Sequence, residues 1–457
     1  MDNGVLRRDL RLSVAEGGLA AAMGSLFSGI FLTGFALAMG GTRFQIGVLF
    51  AIPAISGFAQ LLGSYWLERF GGSKRLCVVC ALLSRLLYVP VLVVPLVATG
   101  WSGQTKVWWI IGLMAASHLL GSLGGVGWLV WIKSLVPSSQ LVPFLGRRHL
   151  VNTGLSFVVC LAAGGLADWL NSGTNSLAGF IIVFAIAMIC GLVGWGLLSC
   201  ISPSEENSAA HMRPNYRTQL LATMSDANFR GLVGYFASWN LAVNLAAPFI
   251  PVYLLQKLGL PLWYVVTLTT MGSLIGLLVN GLWIRLVERF GMKPVLFAAT
   301  FFDSLLPLSL VFLGREQSYL LWIAHLVGLF NTPIAIAPDH FILKLTPRQN
   351  ASSYMALFRA VVGPATALAA VIGGLFVSWG QEIAIGGQEF PALRAIFLIS
   401  FLGRIGSLVL LNRIYEPGAT SVWEFVTSIQ HPQLLGAQPP LVHVAGPPAS
   451  SPAEAAS

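Results

Sequence analysis

Glu68-Arg69-Phe70-Gly71 joins one apolar run to the next and is followed closely by Lys74-Arg75. The same four letters return 220 residues later (288 − 68) as Glu288-Arg289-Phe290-Gly291, followed by Lys293-Pro294. A second pair of matching joints is Leu135-Val136-Pro137 and Leu345-Thr346-Pro347, offset by 210 (347 − 137). One such turn alone is an ordinary helix–helix loop. Two correspondences in the same order, each linking hydrophobic segments, point to a duplicated membrane unit.

The composition around these joints agrees. Of 457 residues, 56% are hydrophobic and 9% charged, against about 25% charged in soluble domains. Mean hydropathy over the whole chain is +0.78. The net charge of +9 is scattered between apolar runs and forms no patch, which argues against nucleic acid as a partner. Five cysteines fall inside apolar runs, and the Cys77/Cys80 pair has no second Cys or His pair nearby, so a metal or redox role is not expected. No nucleotide-binding loop, nucleophile–base arrangement or metal-ligand spacing occurs. Enzyme chemistry, direct ATP drive and cofactors are therefore not expected. Arg7, Arg8 and Arg11 precede the first apolar run without a convincing cleavage site, so that run reads as a retained helix.

A helix needs about 20 apolar residues to cross a bilayer. Twelve such runs are present: 17–40, 43–67, 74–98, 107–131, 149–170, 176–200, 231–255, 262–286, 293–314, 318–341, 352–379 and 393–415. The expected organisation is an N-terminal six-helix bundle (1–200), a polar cytoplasmic linker (201–230) with a short surface helix at 216–229, and a C-terminal bundle (231–415). The Pro-, Ala-, Ser- and Gly-rich residues 416–457 read as a disordered cytoplasmic tail. With both ends inside, 18 of the 26 Lys and Arg residues fall on the cytoplasmic side and five outside. Arg85, Arg359 and Arg404 remain within runs. This asymmetry fits the positive-inside rule and a multi-pass protein of the plasma (inner) membrane.

Six plus six helices, a central linker and an acidic-basic-Gly loop after the second helix of each half resemble the major facilitator superfamily. The resemblance covers roughly residues 12–415. In the family loop an acid, a base and a turn glycine stand where Glu68, Arg69 and Gly71, and Glu288, Arg289 and Gly291, stand here. Ser64 and Ile284 replace the leading glycine, and Lys74 lies one position late. The resemblance implies an all-α fold of twelve transmembrane helices in two pseudo-twofold bundles, with this loop fastening the cytoplasmic side when the carrier opens outward. Asp339 and Arg359 lie near the same face and are candidates for the same closure. Proton-coupled drug exporters of the family carry an Arg in helix 4 where Ser117 stands, with His118 beside it, and a helix 5 Gly-Pro that is absent. Membership of that group is weakened accordingly.

In the family, helices 1, 4, 7 and 10 line the central cavity. By helix number this points to Ser25, Ser28 and Thr33, to Ser117, His118 and Ser122, to Trp239, Asn240 and Asn244, and to His325, Asn331 and Thr332 beside Pro333. The four-residue spacing of Asn240 and Asn244 sets both amides on one helix face. Interhelical hydrogen bonding is the competing role for each single residue. Charges inside spans are costly, about 2.5–3.5 kcal/mol at mid-membrane on insertion scales. Asp303 and Arg404 fit a structural ion pair in the second half, whereas Arg85 has no obvious acid in its own half, leaving an anionic solute group or backbone carbonyls as partners. His118, His325 and Asp303 are the titratable groups best placed to move a coupling proton. The expected function is secondary active or facilitative transport of a small organic solute by alternating access, by a monomer. Trp239, Trp263, Trp283 and Phe330 with few charges favour an amphipathic solute and export. The alternatives are uptake of an organic anion through Arg85 or Arg359, and a carrier-shaped sensor or assembly protein without flux.

Overall fold

The computed structural model describes residues 3–171, 177–203, 223–345, 351–380, 382–385 and 388–430. It contains the twelve spans: Gly4–Ala38, Arg43–Leu67, Ser73–Val97, Gly103–Leu135, Ser139–Asn171, Ala178–Ser199, Ala227–Lys257, the pair Leu262–Leu278 and Asn280–Phe290, Met292–Phe312, Leu320–Leu345, Tyr354–Trp379 and Ala392–Leu411. They are spans 1 to 12 in that order, and span 8 is the pair, bent by 54°. A hairpin pairing Glu382–Ile385 with Gln388–Pro391 links spans 11 and 12. Large apolar side chains such as Val97, Trp109, Val158, Ile189, Phe312 and Trp379 stand exposed around the outside. In water such a surface would be an aggregation liability; against lipid it is the ordinary one.

Each half closes on itself by the same bonds. Lys74 donates to the Ile201 carbonyl at 2.6 Å, and Lys293 donates to the Ile414 carbonyl at 2.7 Å. The Ser202 amide donates to Asp9, tying the start of span 1 to the end of span 6, and the Tyr415 amide donates to Asn228, tying span 7 to span 12. The donors and acceptors at 74/293 and 9/228 are offset by 219, those at 201/414 and 202/415 by 213. The duplication seen at residues 68 and 288 thus reaches the hydrogen bonding. All these ties lie at the end of the spans that carries the two acidic-basic-Gly turns, which we term the basic end; the opposite is the far end.

Both turns need glycine. Gly71 has φ 61° and ψ −152°, and Gly291 has φ 88° and ψ 166°, regions that a side chain disfavours. A Cβ on Gly291 would also meet the Ala419 side chain at 2.6 Å. Gly291→Val is therefore expected to cost about 1–3 kcal/mol of stability, from strain at that φ/ψ alone. Thermal unfolding of the detergent-solubilised protein measures this, and an unshifted midpoint would contradict it.

The packed cores reveal how the halves meet. At the far end, one cluster joins Leu262 and Val266 of span 8 to residues of spans 1 to 6, and another joins Ile46 of span 2 to residues of spans 7 to 12. At the basic end the clusters stay within one half: Trp131, Leu135, Phe144 and Leu198 in the first, Phe229, Phe236, Phe341 and Phe358 in the second. The halves are therefore packed together at the far end and splayed at the basic end.

Several boundaries differ from the sequence expectation. Span 1 begins about a dozen residues before its apolar run, because Arg7, Arg8, Asp9 and Arg11 sit on its first turns. Residues 204–222 of the linker lie outside the described residues; 227–229 belong to span 7, whose first turn is capped by Asp226 accepting from the amides of Asn228 and Phe229. The tail is not structureless at its beginning. Glu416 is buried, Val422–Gln430 is a helix, and Phe425 is 1% exposed against Trp283, Phe290 and Val295. The remainder of the tail, 431–457, lies outside the described residues.

Candidate functional site

Several spans break beside one cavity, among them spans 1, 7 and 10. Span 1 interrupts at Phe27 and Ser28 and restarts as Gly29–Ala38. Span 7 interrupts at Ala247-Pro248, restarts as Phe249–Val252 and ends in a π-helical turn, Tyr253–Lys257. Span 10 passes from Leu320–His325 through a 3₁₀ segment, Leu326–Phe330, to Asn331–Leu345. Irregular backbone at membrane depth is tolerated where it lines a cavity. A cavity of about 360 Å³ lies there, between the halves. Its wall includes Ser25, Ser28, Gly29 and Phe31 of span 1, Phe50 of span 2, Cys160 of span 5, Ala247 and Ile250 of span 7 and Val266, Thr269 and Thr270 of span 8. Asp303 and Leu306 of span 9 and His325, Val327, Gly328 and Asn331 of span 10 also belong to it. The volume suits one small metabolite.

The far end is sealed by polar ties across the halves. Asp168 of span 5 accepts from the amides of Leu262 at 3.1 Å and Trp263 at 2.7 Å, capping the N-terminus of span 8 with a carboxylate from the other half. Arg43 of span 2 donates to the Val377 carbonyl of span 11. At the basic end, Arg359 of span 11 donates to Gln60 of span 2 at 3.2 Å.

The family profile described as Major Facilitator Superfamily matches residues 15–331, more than two thirds of the chain. The chain belongs to the major facilitator superfamily. No curated protein sequence matches it. Among solved structures it is similar to a mutant of the nucleoside transporter NupG (TM-score 0.71, 12% identity, 90% of this chain and 100% of that one). It is also similar to a D-xylose–proton symporter (0.66, 15%, 91% and 99%) and to a bacterial homologue of the iron transporter ferroportin in an inward-facing state (0.63, 16%, 91% and 99%). At these identities the likeness is one of fold.

Within this superfamily member the sequence candidates separate. His325, Asn331, Asp303, Ser25 and Ser28 stand in the cavity wall. Asn240 and Asn244 turn back on their own helix, donating to the carbonyls of Phe236 and Asn240. Trp239 is buried beneath the Arg404 guanidinium, 5.6 Å from the ring centre. His118 is half-buried on span 4, away from this wall, and Ser117 exchanges hydrogen bonds with Ser84. Of the aromatic residues expected to favour an amphipathic solute, Trp263 is exposed at the far end and Trp283 packs at the basic end. The wall's own apolar groups are Ile30, Phe31, Phe50, Ile250, Val266 and Leu306 instead.

The buried charges are paired. Arg404 donates to the Asp303 carboxylate at 2.7 Å and to its backbone carbonyl at 3.1 Å. In the first half Glu16 accepts from Arg148 at 2.7 Å and faces Arg85 at 3.5 Å, so Arg85 does have an acid in its own half. Asp339 is exposed and Arg359 crosses to Gln60, so the expected Asp339–Arg359 pair is not formed. Glu68 lies in the last turn of the helix that runs to Phe70, Arg69 donates to Tyr65 in that same helix, and Glu288 is exposed. Arg289 lies over the Phe290 ring and Gly71 and Gly291 make the turns. Among the described residues no ion pair joins Arg69 or Glu288 to the opposite half.

One functional-looking anchor was invisible in the sequence. The Glu416 carboxylate accepts from the amides of Met292 and Lys293, which open span 9, and from Lys344 at the end of span 10, with His340 at 3.5 Å. Burial alone would raise its pKa; the bonds from His340, Lys344 and the two amides outweigh burial and hold it at about 2. A depressed acid stabilises the fold in full above its unfolded value near 4.5, and that contribution fades as pH falls through 2. The linkage amounts to roughly 3 kcal/mol. Glu416→Gln is expected to remove it at neutral pH and to raise hydrogen exchange across Val422–Gln430. Unchanged exchange there would show that the tail is held by Phe425 alone.

Proposed function

We propose that the chain is a secondary carrier that moves a small amphipathic organic solute across the plasma membrane by rocking spans 1–6 against spans 7–12. The supporting observation is the solute-sized cavity at the breaks of spans 1, 7 and 10, closed toward the far end and bordered by the splayed basic end. The Lys and Arg asymmetry puts the basic end, with both termini, in the cytoplasm, and the conformation is then inward-facing. The cross-half cap at Asp168, a bond that rocking would break, fits that state.

The apolar wall favours export of a solute that enters from the lipid or cytoplasmic side. An anion carrier loses support, because Arg85 and Arg359 are engaged away from the cavity. A coupling proton would use Asp303 and His325, the titratable groups of the wall. The carrier acts as a monomer in this reading, each protein holding its own cavity.

Arg43→Cys with Val377→Cys tests the reading, since Arg43 bonds to the Val377 carbonyl across the far-end seam. Oxidising the pair in proteoliposomes should abolish flux of labelled amphipathic solutes, and reduction should restore it. Saturable solute binding with no flux in the parent protein would favour a sensor instead.

A further inference from the structure

Resting on the carrier reading, we infer that the solute is an organic amine carrying at least one N–H, bound by a cavity whose polar side chains are mainly hydrogen-bond acceptors. A hydroxyl has one proton and two lone pairs. Ser25 gives its proton to the Ala21 carbonyl, Thr270 to Val266 and Thr269 to Val265 or Val266, at 2.6–3.1 Å. Ser28 points its own, more weakly, at Ser25. With their protons spent on their own helices, Ser25, Thr269 and Thr270 offer the cavity lone pairs only.

His325 behaves the same way. Its Nδ1 lies 2.9 Å from the Leu321 carbonyl. A carbonyl can only accept, so Nδ1 carries the proton and Nε2 is left with a lone pair. That Nε2 is buried, makes no hydrogen bond, and belongs to a cavity-wall side chain from a residue only 7% exposed. A buried acceptor without a partner is an open binding valence. Asp303, also in the wall, gives one oxygen to Arg404 and makes no second hydrogen bond among the described residues.

Acceptor-bearing side chains from spans 1, 8, 9 and 10 thus line one space. An ammonium or secondary amine supplies the missing donors, and the apolar wall residues take its body. Asn331 and the backbone amides that open Gly29–Ala38 supply donors for an oxygen elsewhere on the solute. A carboxylate placed among the hydroxyls and Asp303, by contrast, would meet lone pairs and the Asp303 charge.

The full chain in detergent is titrated with 2-phenylethylamine, its N,N,N-trimethyl analogue and 3-phenylpropanoate, reading the thermal midpoint and the dissociation constant. The amine should stabilise saturably and bind at least tenfold more tightly than either relative. His325→Phe and the near-isosteric Thr270→Val should each weaken the amine about tenfold, the loss expected for one hydrogen bond to a charged donor. Equal binding of the carboxylate, amine binding untouched by both variants, or no saturable binding of the amine overturns the assignment. Flux of 3-phenylpropanoate into proteoliposomes with no amine flux would leave the carrier reading and sink the amine. Saturable amine binding without flux would do the reverse.

Discussion

Arg404→Met is expected to leave little folded protein, whereas Arg404→Met combined with Asp303→Leu is expected to fold. Arg404 is 3% exposed, and its guanidinium bonds to the Asp303 carboxylate, the Asp303 carbonyl and the Ser400 hydroxyl while lying over Trp239. Removing the cation strands a carboxylate in the apolar interior. Breaking a buried pair in this way costs about 3–5 kcal/mol, whereas exchanging both partners for apolar groups is often neutral or better. Against a total stability of about 5–15 kcal/mol, the single loss is severe. Monodisperse yield and thermal midpoint separate the variants, and a single variant as stable as the parent would remove the pair from any structural role. The double variant carries the functional information. Asp303 also lines the cavity, so a folded double variant that no longer binds solute would give the carboxylate two duties.

The sequence carried the architecture because bilayer thickness sets a length that can be counted, and because a duplicated turn at 68 and 288 fixes which runs correspond. The Asp303–Arg404 pair was legible for a related reason: two opposite charges inside apolar spans of one half have few other ways to be neutralised. Glu16 was missed because an apolar window starts span 1 too late. The helix runs back through Arg7, Asp9 and Arg11, and Glu16 then lies well inside it, facing Arg85 and Arg148.

The cavity was only half legible. Its position follows from helix breaks, which hydropathy does not register, although Gly29, Pro248 and Gly328 mark them. The Thr269-Thr270 pair lies on span 8, outside the spans 1, 4, 7 and 10 that the family resemblance names. A hydroxyl pair within an apolar run was the available signal. Asn240 and Asn244 stood out by spacing, yet helical geometry lets each amide reach the carbonyl four residues back, and that local bond won. Glu416 was hidden by the composition of the residues after it.

Gly47→Val is expected to drive the protein out of the far-end-closed conformation. Span 2 crosses span 11 so closely that a Cβ on Gly47 would lie 2.4 Å from the Ala370 carbonyl oxygen and 3.1 Å from Gly374 Cα. No rotamer relieves a clash at Cβ, so the two backbones have to separate. Ala51, Ala367 and Ala370 are buried together along the same seam. Overpacking of this kind costs about 1–3 kcal/mol, and even 1.4 kcal/mol moves a two-state balance tenfold. The cost falls on the closed state alone if rocking parts spans 2 and 11 at this level, so the variant should fold and populate the far-end-open state. Spin labels at Gln104 and Trp379, both exposed at the far end, report the separation once the exposed Cys200 and half-buried Cys190 are replaced. The expected result is a longer inter-label distance together with loss of flux, because a carrier that cannot reclose its far end cannot complete a cycle. An unchanged distance with flux retained would mean that spans 2 and 11 do not form the moving seam.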